Sequence, residues 1–161
     1  MSVLKTILKT KLLEIEHSDI EPVENVKRDD IRSLKSALSN PGISVIAEIK
    51  MKSPSEGNIF PNADPVQIAR DYEAAGAAAI SVITESHFFG GSLEILRSVR
   101  EAVNIPVLRK DFILSTAQIS ETNFVGGDAF LLIMEAVESS DLFDLFSFGK
   151  NLGLESLVEF H

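Results

Sequence analysis

The sequence predicts an α/β protein built on one parallel sheet. Three observations lead there. Apolar, β-branched runs such as "ISVIAEIK" (43–50) and "AAAISVIT" (77–84) alternate with segments of helical periodicity. The distance between successive runs suits a crossover helix, which parallel pairing requires. The strands are apolar at both parities, as strands covered on two faces are.

The elements follow in order. "SVLKTILKTKLLEIEH" is an amphipathic helix with Leu4, Leu8, Leu12 and Ile15 along one stripe. Such a stripe packs on its own domain more often than on a membrane surface. Residues 18–30 are polar, contain a proline and read as a connector. "IRSLKSALS" is a short helix broken by "NPG" at Asn40 to Gly42. After the first strand, "ADPVQIARDYEAAG" carries Asp64 at the N-cap, Pro65 at the first helical position and Gly76 just past the end. The second strand (77–84) leads into "GSLEILRSVREAV", a helix capped by Ser92. "IPVLRKDFI" (105–113) is the third strand. "STAQISETNFVGG" opens on Ser115 and Gln118 at capping-box spacing. "DAFLLIM" (128–134) is the fourth strand. In the helix "SSDLFDLFSFGKNLG", Phe143, Phe146 and Phe148 lie at helical spacing and are expected in the core. "LESLVEFH" (154–161) is the fifth strand. Residues 1–42 therefore read as an N-terminal helical extension, and 43–161 as the sheet domain.

Composition narrows the function. The 161 residues fit one domain with a sizeable core. There is no Cys, which excludes disulfides and thiolate metal sites and fits a reducing cytoplasm. A net charge of −9 argues against a non-specific nucleic-acid binder. No apolar stretch is long enough to span a membrane, and the N-terminus lacks a signal-peptide core. The His residues, at 17, 87 and 161, show no H-x-x-x-H spacing, so no metal site is expected. Neither G-x-S-x-G nor, after the first strand, G-x-G-x-x-G occurs.

Side-chain parity separates the two architectures open to such a chain, a doubly wound sheet and a (β/α)₈ TIM barrel. In the first strand Val45, Ala47 and Ile49 share one face, and Ile46, Glu48 and Lys50 the other. In the third, Val107, Arg109 and Asp111 alternate with Leu108, Lys110 and Phe112; in the fifth, Leu157, Glu159 and His161 share a face. Apolar residues lie deep and ionisable ones lie toward the C-terminal ends, the layout of a barrel with its site at the C-terminal mouth. Glu48, Lys50, Lys110 and Glu159 then point into one space, suited to proton transfer and anion binding. Lys50, Lys52, Arg109 and Lys110 gather positive charge there, against the acidic whole. Lys52 and Arg109 are expected to be solvated or paired with surface acids. "SPS" at Ser53 to Ser55 reads as a turn whose hydroxyls could hold an anion; Phe88 and Phe89 could stack on an aromatic ligand.

The segments "IAEIKMKSPSEG", "AISVITESHFFGGS", "PVLRKDFI", "DAFLLI" and "LVEFH" resemble, in order and spacing, the signature segments of the indole-3-glycerol-phosphate synthase family. The resemblance runs from about Ile46 to His161, and the N-terminal helices look like that family's extension. It implies a (β/α)₈ barrel lyase of tryptophan biosynthesis. The family converts 1-(2-carboxyphenylamino)-1-deoxyribulose 5-phosphate, a phosphosugar–anthranilate substrate, to indole-3-glycerol phosphate with loss of CO₂ and water. It uses no cofactor and no metal, and no nucleic acid or membrane partner is implied. By position, Lys110 is similar to the general acid at the substrate carbonyl, and Glu159 to the carboxylate that assists proton removal as the indole ring regains aromaticity. Glu48 and Lys50 resemble the pair that orients Lys110, holds substrate and takes part in dehydration. Ser53 and Phe89 match substrate contacts, and Phe112 and Leu131 match the apolar lining for the anthranilate ring.

Two features depart from the pattern. Glu56 stands where the family is often basic. A whole barrel takes about 250 residues, and the later family segments that carry much of the phosphate site are absent from this sequence. The expectation is an N-terminal part of a barrel, inactive alone, that self-associates or needs a C-terminal complement. The alternatives are a non-catalytic folding or assembly module and a different phosphosugar barrel enzyme.

Overall fold

The computed structural model describes residues 3–17, 26–55, 57–59 and 63–160. Glu56, His161 and much of the expected connector lie outside them. Five parallel strands form one sheet: β1 (Ile46–Ile49), β4 (Ala79–Ile83), β5 (Val107–Lys110), β6 (Ala129–Ile133) and β7 (Glu155–Glu159), paired in that order. Two further strands, β2 (Lys52–Ser53) and β3 (Gly57–Asn58), make a small antiparallel ribbon after β1, with Pro54 and Ser55 in its turn. The ribbon was not foreseen, because two-residue strands carry no periodicity. The helices are α1 (Val3–His17), α2 (Leu34–Leu38), α3 (Pro65–Ala74), α4 (Leu93–Ala102), α5 (Thr116–Phe124) and α6 (Ser139–Asn151). A short 3₁₀ turn, Met134–Ala136, follows β6.

Local signals account for the starts of α3, α4 and α5. The Asp64 carboxylate accepts the Val66 N–H ahead of Pro65, Ser92 accepts from Ile95, and Ser115 with Gln118 closes a capping box. The strands are shorter than their apolar runs, because the run ends leave the ladder: Ile43 and Val45, placed in the first strand by pattern, are exposed.

Two layers of core lie on the two sheet faces. Outside, Ile49, Ile80, Val82 and Val107 pack on α3 and α4, while Phe130 and Leu132 pack with Ile119 of α5 and Leu145 of α6. Gly149 of α6 allows this approach: a Cβ there would sit 2.4 Å from the Phe130 ring. Inside, Ile46, Leu108 and Leu157 meet Ala79, Ala129 and the α2 residues Leu34 and Leu38. Helix α2 thus covers the N-terminal end of the inner face. Asp128, fully buried, fastens the segment before α2: it accepts the Arg32 N–H (2.9 Å), the Val107 N–H (2.9 Å) and the Arg100 Nε–H (2.8 Å).

Two expectations fail here. Leu12 is 50% exposed, and Lys11 takes its place on the buried side of α1 with Ile7. At about 100° per residue, position 11 falls about 20° from position 4, while position 12 drifts about 80° away. Phe143 and Phe146 are 70% and 40% exposed. The inward stripe of α6 is Leu142, Leu145 and Gly149, continued by Leu152 at the C-cap, and Phe148 alone of the three phenylalanines packs beside it.

Substituting Gly149→Ala should destabilise the fold by about 1–3 kcal/mol, because the added methyl overpacks a ring with no room to retreat. Urea denaturation measures this as a lower midpoint at unchanged slope.

Candidate active site

Register carries the ionisable residues of three strands to one level. In an eight-stranded barrel with a shear of about eight, a layer advances about one residue per strand. Glu48 pairs with Ser81; one residue on, Val82 pairs with Arg109; one further is Lys110. Arg109 pairs with Phe130, so Lys110 is level with Leu131; one residue on, Leu132 pairs with Val158, and the next residue is Glu159. Glu48, Lys110 and Glu159 therefore share a layer above the apolar layer of Ile46, Leu108 and Leu157. The contact agrees: Lys110 Nζ lies 3.1 Å from Glu48 Oε2, with both side chains only partly exposed.

One cavity opens beside this layer at the C-terminal ends of the strands. Lys110 and Glu159 line it with Phe89, Phe112, Leu131 and Ile133. An apolar slot with an ammonium and a carboxylate at its edge suits an aromatic ring joined to a polar, proton-exchanging group. Glu48 joins the cavity through Lys110. Lys50 follows β1, half-buried, and is not part of the cavity wall. Ser53 is buried in the β2–β3 ribbon, its hydroxyl 3.3 Å from that of Ser55, and it too lies off the wall. The structure thus joins Glu48, Lys110, Glu159, Phe89, Phe112 and Leu131, and sets Lys50 and Ser53 to one side. Among the described residues, no three His, Asp or Glu side chains gather as a metal ion would need, and no helix is long and apolar enough to cross a membrane.

A buried polar network adjoins the cavity through Asp111, which also lines it. Asp111 Oδ2 accepts the Thr84 hydroxyl (2.6 Å) and an Arg109 Nη2–H (3.1 Å); Oδ1 accepts the Phe112 N–H (2.8 Å) and faces Lys11 Nζ (3.2 Å). Arg109 also donates to the Gln118 carbonyl (2.7 Å) and to the Thr122 hydroxyl (3.2 Å) of α5. Arg109 is therefore neither solvated nor paired with surface acids alone. It is buried against a buried carboxylate, a geometry its shared parity with Asp111 allows. Burial would raise the Asp111 pKa, but Arg109, Lys11 and the hydrogen bonds outweigh it and hold the carboxyl below its ordinary range.

Glu85 is a residue that pattern reading missed. It is buried, and its carboxylate accepts the N–H groups of His87 (3.1 Å), Phe88 (2.7 Å) and Phe89 (3.0 Å), which folds the loop so that Phe89 reaches the cavity. Gly91 completes the fold, because a Cβ there would sit 2.1 Å from the Ile83 carbonyl oxygen. Its partners are backbone amides of its own loop, so no residue pattern marks it.

A family model described as indole-3-glycerol phosphate synthase matches residues 4–161. An indole-3-glycerol phosphate synthase from Geobacillus sp. (strain WCH70) is 46% identical over 162 residues, covering 99% of this chain and 62% of that relative. One from Chlorobium phaeovibrioides is 45% identical over 169 residues, covering 100% of this chain and 66% of that relative. The chain thus spans less than two thirds of the length of these relatives. A solved structure of a mandelate oxidase mutant with benzaldehyde superposes with a TM-score of 0.52 at 15% identity, covering 74% of this chain and 43% of that one, a likeness of fold alone.

Replacing Asp111→Asn should cost roughly 3 kcal/mol at neutral pH, because a buried carboxylate with two cationic partners loses its charge. The Asp111 pKa is depressed in the folded state, so its stabilisation is full above about pH 4 and fades as pH falls through the folded value. Denaturation of both proteins across pH should show the wild-type advantage shrinking below about pH 4.

Proposed function

The chain belongs to the indole-3-glycerol phosphate synthase family, and on that premise we propose that its layer of Glu48, Lys110 and Glu159 performs the family's ring closure. The substrate is 1-(2-carboxyphenylamino)-1-deoxyribulose 5-phosphate, and the product is indole-3-glycerol phosphate with loss of CO₂ and water. The observation that carries the reading is the Lys110–Glu48 pair at 3.1 Å, level with Glu159 and beside an apolar slot.

The anthranilate ring lies between Phe89, Phe112 and Leu131. The ring carbon that bears the carboxylate attacks the sugar carbonyl carbon, and a carbon–carbon bond forms. Lys110 donates a proton to the carbonyl oxygen, which would otherwise carry a full negative charge among apolar side chains. Glu48 holds that ammonium in an ion pair and aims it. The carbon–carboxylate bond then breaks, releasing CO₂. The new hydroxyl leaves as water with an acid's help, and Glu159 assists loss of the proton that restores aromaticity. Lys50, close to Glu48 in sequence, supplies positive charge for the substrate's anionic groups and shares in the dehydration. The family resemblance also assigns Ser53, in the ribbon after β1, to substrate contact. The reaction is cofactor-free and takes place in the cytoplasm, which the absence of Cys suits.

A second reading concerns partners. Strands β1 and β7 are the sheet's edges, and Ile43, Val45, Val158 and Phe160 stand exposed along them. Unpaired edges beside apolar side chains favour association, either with a second copy or with a complementing βα segment.

Two measurements test these readings. Formation of indole-3-glycerol phosphate from the phosphosugar–anthranilate substrate, followed by fluorescence in the full-length protein, should fall by about a hundredfold or more in Lys110→Met, the ordinary weight of a positioned general acid. Full activity in that variant, or none in the wild type, contradicts the assignment. Sedimentation of the 161-residue chain over rising concentration should reveal species larger than a monomer. A strictly monomeric chain contradicts the second reading.

A further inference from the structure

Only two α1 residues are buried, Ile7 and Lys11. A buried lysine is a costly way to dock a helix, since a leucine at the same position would pack without desolvating a charge. Lys11, 6% exposed, places its ammonium 3.2 Å from Asp111 Oδ1 and 2.8 Å from Glu14 Oε2. Asp111 also pairs with Arg109, which it shares with Glu121 Oε2 (3.3 Å). Besides charge, Lys11 adds direction. It is the charged partner of Oδ1, the oxygen that accepts the Phe112 N–H. Thr84 and Arg109 hold only Oδ2. Without Lys11 the carboxylate can turn about its hold on Oδ2 and release that amide. Asp111 sits between Lys110 and Phe112, and both neighbours line the cavity. Glu14, the other partner of Lys11, faces His87 Nδ1 at 3.8 Å, two residues before Phe89.

We propose that Lys11 is a positioning residue: from α1 it fixes the Asp111 carboxylate on the Phe112 amide and thereby aims Lys110 and Phe112 into the cavity. Its role in turnover rests on the assignment of Lys110 as the general acid. Helix α1 is, on this view, a brace for the catalytic strand.

The test compares wild type with Lys11→Met, which keeps length and loses charge, and Lys11→Arg, which restores charge. Lys11→Gln replaces the methionine variant if that one does not fold. Amide exchange is read first, by NMR and without substrate. In Lys11→Met the Phe112 amide should exchange about tenfold faster while core amides of β4 and β6 keep their rates, and Lys11→Arg should reverse most of the change. An unmoved Phe112 amide, or faster exchange throughout the sheet, overturns the proposal. Turnover is read second, in the full-length protein. Lys11→Met should lower kcat about tenfold with little change in KM, as misplacement of a catalytic group does. Unchanged kcat overturns the role in turnover. A wild type that forms no indole product, with a Phe112 amide that still responds to Lys11→Met, overturns the function and upholds the brace.

Discussion

The stagger of the parallel sheet is the constraint on which the site depends. Each strand advances about one residue on its neighbour at a given level, so residues far apart in the chain arrive in one layer. Glu48, Lys110 and Glu159 come from three separate strands and share no local motif. If the stagger changed by one residue at a single strand, Lys110 would turn outward and Arg109 inward. Register is therefore part of the chemistry, and the two apolar layers that hold the register support the site.

Strand β5 shows how one short element serves two purposes. Its inward residues, Leu108 and Lys110, fill the interior and reach the cavity. Its outward residue Arg109, with Asp111 just beyond, ties the same strand to α5, to the end of β4 and to α1. The alternation of a strand keeps the two sets apart while holding them about 3.3 Å from one another along the chain. Lys110 is held through its neighbours on the opposite face and still reaches the cavity.

Much of this was legible in the sequence, for physical reasons. Caps are local, so Asp64, Ser92 and Ser115 were readable from their own turns. Parity is local too, and it placed Glu48, Lys110 and Glu159 on one side before any pairing was known. What could not be read depends on distant partners. The burial of Lys11 is decided by Asp111, one hundred residues away, so α1 looked like a leucine stripe that included Leu12. Glu85 offers no pattern, because its partners are backbone amides of its own loop. Phe143 and Phe146 had helical spacing but lay off the inward stripe of α6, which a glycine and smaller apolar residues occupy.

The central claim is that Glu48 acts through Lys110 in a single layer. A double-mutant cycle on the rate of indole-3-glycerol phosphate formation tests this, with Glu48→Gln and Lys110→Met alone and together. Groups that act as a unit lose little more together than apart. The double variant should be about as slow as Lys110→Met alone. Losses that multiply, with each substitution exerting its full effect in the presence of the other, would mean that the two residues act independently and would contradict the account.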